Sequence, residues 1–310
     1  MNYTMRNIVT LSALVGLCSF SYGATGEVTQ SGSTWTGKVD GVTKYTGSDA
    51  GDANNACMNA MSSGTVFIRT STGTFDGAWT KSNCTVDGTG RTFSGGGTNG
   101  VLYAANSSNI GGRNMWQAST NWYGIFFRTC NGQNVSGTGG TAGKTFRIDN
   151  CKGGTGYNLT LGSPTDSGAS GSRSSDNIET YGISGGSAGT ITSIDREGCG
   201  TLLNKSSNFT ISSNNATRCD WNGGYAGFRT ANTNGKTTVG TVTSTSCGRG
   251  YFSVSGSRDC TISTIQTYYN SSSEVWLQST YNTRINSGTL RGGCWSVTGG
   301  SGNVVTVTCQ

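Results

Sequence analysis

Five stretches decide the fold when set in register: Gly189-Thr190-Ile191-Thr192-Ser193-Ile194, Phe209-Thr210-Ile211-Ser212-Ser213, Thr237-Thr238-Val239-Gly240-Thr241-Val242, Cys260-Thr261-Ile262-Ser263-Thr264-Ile265 and Thr283-Arg284-Ile285-Asn286-Ser287-Gly288. A sixth begins at Val304-Val305-Thr306-Val307. The starts at 189, 209, 237, 260, 283 and 304 are spaced by 20, 28, 23, 23 and 21 residues. Self-similarity at this period marks stacked units, each burying an apolar face on the next, which is the pattern of a parallel β-solenoid. A second strand recurs inside each unit: Thr201-Leu202-Leu203, Gly227-Phe228-Arg229-Thr230, Tyr251-Phe252-Ser253-Val254 and Glu274-Val275-Trp276-Leu277. Alternate strand residues face opposite sides. If Phe228, Phe252 and Val275 point inward, Arg229, Ser253 and Trp276 point outward.

Composition agrees. The chain has 51 Gly among 310 residues, one Pro and 12% charged residues. Disordered low-complexity chains lack aromatics, whereas this one carries 7 Trp, 12 Tyr and 10 Phe. Many Gly, Asn, Ser and Thr suit a many-turned all-β chain, since turns need residues that tolerate positive φ. The net charge of +6 suits an acidic polysaccharide or cell surface, and no Lys/Arg run points to nucleic acid.

The N-terminus reads as a secretory signal: Arg6, the apolar run Ile8–Leu17, then Ser21-Tyr22-Gly23-Ala24. The run is shorter than the roughly 20 apolar residues of a membrane span. The reading divides the chain into a signal at 1–23 and one β-helix domain at 24–310, with its regular coils at 189–310. The protein is expected to be secreted and monomeric. Cys18 leaves with the signal, and the remaining even set of cysteines suggests disulfides in an exported chain. Cys199, Cys219 and Cys247 align, with Asn270 next, so Cys199–Cys219 is the expected vertical bond and Cys247 pairs with Cys260. Order alone suggests Cys57–Cys84, Cys130–Cys151 and Cys294–Cys309. The chain has no His, which removes Ser-His-Asp and Cys-His hydrolases, and no cysteine pair has zinc-finger spacing.

Residues 52–61 read as a short helix, followed by Thr65-Val66-Phe67-Ile68, Gly73-Thr74-Phe75 and Cys84-Thr85-Val86-Asp87-Gly88-Thr89-Gly90. This order resembles the opening of the pectate-lyase-like right-handed β-helix superfamily, in which a short helix caps the barrel end. The Gly/Ser/Thr-rich stretches between 132 and 189, above all 162–175, read as loops on its flank. The resemblance implies a secreted enzyme acting on a polysaccharide, with a cleft along the outer face of stacked strands. Polygalacturonase motifs (Asn-Thr-Asp, Asp-Asp, Gly-His-Gly, Arg-Ile-Lys) are absent, as are the Trp-Ile-Asp-His and Arg-x-Pro-x-x-Arg signatures of the major pectate lyase family. No catalytic residue therefore transfers by motif.

The chemistry must come from scarce charges. Asp195, Glu197, Asp220, Arg229 and Arg249 fall on three consecutive coils and are the candidate catalytic cluster. Arg196 and Trp276 are candidate sugar-binding residues, Trp276 as a stacking platform. A lyase on a uronate-containing glycan such as pectate would use Arg229 or Arg249 as base, with Asp195, Glu197 and Asp220 as charge partners or Ca²⁺ ligands. A glycoside hydrolase would need a carboxylate pair among those acids, and a carbohydrate-binding or adhesin solenoid would need neither. The same charges also read as a salt-bridge network at coil corners, and Trp276 as an ordinary surface residue. Asp87 and Asp259 read as turn residues.

Overall fold

A computed structural model describes residues 23–70, 75, 77–93, 100–117, 123–136, 139–140, 144–149, 160–161, 165–166, 176, 178–220 and 225–310. The signal reading of the first residues and the 162–164 and 167–175 stretches lie outside them. Among the described residues no helix is long and apolar enough to cross a membrane.

The fold is a right-handed parallel β-helix. Its physical cause is visible in one column of register partners: Val66, Val86, Gly112, Val135, Leu161, Ala188, Ile211, Val239, Ile262, Ile285 and Val305. Each lies on its neighbour at the ~4.8 Å ladder spacing, so an apolar position recurs at every coil. Gly112 fits this column because a Cβ there would come within 2.8 Å of the Leu102 side chain. Among the described residues the second sheet is a ten-strand parallel ladder, running from Ala78–Trp79 through Thr201–Asn204, Phe228–Ala231, Arg249–Val254 and Ser273–Tyr281 to Trp295–Ser301. Its inner column includes Leu102, Ile125, Ile178, Thr201, Phe228, Tyr251 and Val275. Inside, the Phe228 and Tyr251 rings stack with centroids 5.4 Å apart. Polar residues there satisfy one another along the ladder: Thr230 donates to Ser253 at 3.0 Å.

The corners are columns of left-handed residues. Asp195, Arg218, Ser246 and Tyr269 have φ of 57°, 51°, 53° and 56°. Asn83, Asn109, Asn208, Lys236, Asp259 and Asn282 form a second such column, at 62°, 53°, 54°, 51°, 54° and 54°. This confirms Asp259 as a turn residue. The Asn- and Ser-rich composition follows from it, since one residue per corner must tolerate the αL region.

The cap helix covers Ala50–Ala60, with Asp49 as N-cap accepting from Asp52 N at 2.9 Å. The cap also contains an antiparallel hairpin, Thr34–Val39 with Val42–Gly47, turning at Asp40-Gly41 with φ of 47° and 81°.

Four expectations change. The first coil of the regular series is Gly186 over Phe209 and Ala188 over Ile211, not Gly189 over Phe209. The Gly-rich 132–189 stretch is not all loop, because strands Asn131–Ser136, Lys144–Asp149 and Ile178–Tyr181 continue the ladders through it. Phe252 points outward and Tyr251 inward. The corner column is Arg196, Cys219, Cys247 and Asn270 rather than one containing Cys199. Of the disulfides, Cys294–Cys309 is formed, with Cα atoms 5.2 Å apart. Cys199, Cys219, Cys247 and Cys260 are free thiols, and so are Cys57 and Cys84; Cys151 lies outside the described residues.

Candidate functional site

The outer column of the second sheet runs Glu179, Leu202, Arg229, Phe252, Trp276 and Ser296. Side chains standing on the same face of adjacent coils meet at ladder spacing, and here that builds a stack of planes. The Phe252 and Trp276 rings lie 4.9 Å apart at 18°. The Arg229 guanidinium sits 5.2 Å from the Phe252 ring and 5.2 Å from Tyr225. The Arg249 guanidinium, arriving from the corner, lies 5.0 Å from both Phe252 and Trp276. Phe252 is buried beneath the two guanidinium groups, whereas Tyr225 is 42% exposed. Trp276 is anchored by donating from Nε1 to Thr298 Oγ1 at 3.2 Å.

Asp220 begins the corner next to this stack and is fully buried. Tyr225 N donates to its Oδ1 at 2.8 Å, and Arg249 Nη1 lies 3.6 Å from Oδ2. Arg249 also donates to the Tyr225 carbonyl at 3.3 Å. Gly248 permits this closeness, because a Cβ there would stand 2.2 Å from the Asp220 carbonyl oxygen. Among the described residues, the buried Nε atoms of Arg229 and Arg249 have no hydrogen-bond partner. Buried guanidinium N–H groups without acceptors are costly.

Burial pushes the Asp220 carboxyl up to about 6; the hydrogen bond from Tyr225 and the charges of Arg249 and Arg229 pull the other way. A carboxyl raised in the folded state contributes stability that is complete below the ordinary carboxylate range and lost as pH rises through about 6. Wild-type protein should therefore lose about 2 kcal/mol relative to Asp220→Asn between roughly pH 4 and pH 7. Urea midpoints of both proteins across that range measure it, and parallel curves would refute it. Asp195, lowered mainly by its hydrogen bond from Arg218, acts in the opposite sense in both proteins and cancels in the difference.

The other expected site residues are placed apart. Asp195 turns the chain as an αL corner residue and forms a two-pronged ion pair with Arg218, whose Nη2 is 2.8 Å from Oδ2. That pair is a corner salt bridge. Because the chain bends at Asp195, Arg196 is turned into the interior and is 2% exposed, out of reach of a sugar. Glu197 follows on the same corner and is half-buried. Ca²⁺ takes roughly six to eight oxygen ligands, but among the described residues no three acidic, Cys or His side chains gather into a metal-binding group. Asp195, Glu197 and Asp220 therefore do not fit Ca²⁺, because Asp195 is committed to Arg218 and Asp220 to Arg249. Asp87 is more than a turn residue, since Arg113 Nε donates to it at 2.8 Å.

The sequence reading brings Asp220, Arg229, Arg249 and Trp276 to one place, and the structure does the same. It missed Phe252, assigned to the wrong face, and Tyr225. Tyr225 lies in the coil whose corner cysteines are 28 residues apart, against 23 for the next coil. That excess length was the available signal.

No protein-family model and no curated protein sequence matches the chain. Among solved structures it is similar to the A-module of mannuronan C-5 epimerase AlgE6 from Azotobacter vinelandii. The two are 13% identical, with a TM-score of 0.50, over 85% of this chain and 96% of that one. At that identity the likeness concerns the β-helix fold.

Proposed function

We propose that the protein binds a uronate-containing polysaccharide along the outer column of its second sheet and cleaves it by β-elimination. The supporting observation is the alternation of rings and guanidinium groups, Tyr225–Arg229–Phe252–Arg249–Trp276. Aromatic faces pack on the apolar faces of sugar rings, and a guanidinium fork matches a carboxylate. In this reading Arg249, held by Asp220, neutralises the uronate carboxylate. Arg229, having given up its own proton to solvent, takes the proton beside the carboxylate; the electron pair forms the C=C bond as the bond to the leaving sugar breaks, and water protonates the leaving oxygen. Trp276 and Tyr225 seat the flanking sugars. The similar fold of a mannuronan C-5 epimerase is compatible with a uronate substrate. A glycoside hydrolase needs two carboxylates facing one bond, and the ionic partner of Asp220 is a guanidinium instead.

The test is incubation with a panel of polyuronates and neutral glycans, reading ultraviolet absorbance of unsaturated products together with reducing ends. Both should rise on a polyuronate. Reducing ends alone would mean hydrolysis, and binding without either would mean a carbohydrate-binding solenoid. Unchanged lyase activity in folded Arg229→Ala would exclude Arg229 as base.

A further inference from the structure

Cys219 and Cys247 stand one above the other at the corner leading into the candidate site. Thr217 pairs with Thr245 just before them, and Gly248 N donates to the Cys219 carbonyl at 2.8 Å just after. Register partners in adjacent coils sit about 4.8 Å apart, within the roughly 4.4–6.8 Å Cα separation that a disulfide spans. Cys219 N donates to Cys247 Sγ at 3.3 Å. The two thiols share a small buried cluster with Ala216. Neither pairing expected from the sequence competes: Cys199 packs with Leu202, Ala226 and Phe252 in a separate cluster, and Cys260 accepts from Asn234 Nδ2 at 3.5 Å.

We infer that Cys219 and Cys247 are joined by a disulfide when the chain folds in the presence of a disulfide oxidant. Oxidised glutathione is a sufficient co-reactant. The Cys247 thiolate attacks one of its sulfurs and releases one glutathione thiolate. The Cys219 thiol then loses its proton, attacks Cys247 Sγ and releases the second. Two protein thiols become one S–S bond, and the two electrons leave on two reduced glutathiones. Both residues are buried in the folded state, so the exchange belongs to folding, before the coil closes.

The bond closes a loop around the coil that carries Asp220 and Tyr225, and it fixes Cys247 two residues before Arg249. It therefore ties the two halves of the Asp220–Arg249 pair together. This inference does not depend on the proposed activity.

The test refolds the full chain with a glutathione redox pair, blocks remaining thiols and maps peptides by mass. A linked Cys219–Cys247 peptide is expected, lost on reduction. Finding both residues alkylated, or linked elsewhere, overturns the inference. Thermal melts supply the second readout in a Cys294→Ser/Cys309→Ser background, which removes the other bond. There, Cys219→Ser, Cys247→Ser and the pair should lower the melting temperature alike, and reductant should shift only the chain retaining both cysteines. An equal response to reductant in the paired variant also overturns it.

Discussion

Arg249→Ala is expected to destabilise the protein by about 1–2 kcal/mol at neutral pH, because it strips a fully buried carboxylate of its partner and protonation of Asp220 caps the loss. The same change removes the cation lying 5.0 Å from both Phe252 and Trp276 and should abolish acidic-glycan binding. The cost should fall away as pH drops from neutrality towards about 6, where Asp220 already takes up a proton in the wild type and needs no counter-charge. Arg249→Lys should recover much of the stability and little of the binding. A lysine restores a charge but not a planar fork that can lie against two rings. Urea denaturation at two pH values, with glycan affinity measured on the folded variants, separates the two effects. A pH-independent stability loss would show that the Asp220–Arg249 pair is not its source.

Phe228→Ala should cost about 3–5 kcal/mol. Phe228 is fully buried and stacks on Tyr251. Its neighbours along the column, Thr201 and Tyr251, are fixed by ladder hydrogen bonds, so they cannot close over the space left behind. Phe252→Ala, one residue from Tyr251 but on the opposite face and also buried, should cost stability as well and in addition remove ligand binding, which folded Phe228→Ala should keep. Denaturant midpoints and glycan affinity for the two variants test the face assignment. Reversed effects would mean that the strand register is wrong.

That face assignment shows where sequence reading stops. The repeat, the parallel stacking and the cap helix were legible because aliphatic residues recur at nearly constant spacing. The first coil was misregistered because Ile191 looked like the counterpart of Ile211. Its partner is Asn214, a buried residue whose side-chain amide atoms have no hydrogen-bond partner among the described residues. An apolar pattern cannot report a polar residue inside the bore. The Tyr251-Phe252 pair failed for a related reason: two adjacent aromatics satisfy either face, and a one-residue shift inverts all the others. Asp195 and Arg196 lie apart from the site because an αL residue bends the chain there, and strand alternation does not report such a bend. The Asp40-Gly41 turn of the hairpin matches a sequence signal for two-residue hairpin loops. The grouping of Asp220, Arg229, Arg249 and Trp276 survived these errors, since coil order alone brings them near one another.

The left-handed corner columns have a consequence for how such a chain can change. A corner asks of its sequence only one residue able to turn, and the ladders on either side carry the registration. The coil whose corner cysteines are 28 residues apart keeps Thr217 over Thr245, just as the next, with a spacing of 23, keeps Thr245 over Tyr268. Extra residues are thus spliced between Asp220 and Gly227 without disturbing the barrel. The corner is a graft point. Exchanging that segment alone offers a way to change what lies beside Arg229 and Arg249 while the scaffold stays constant.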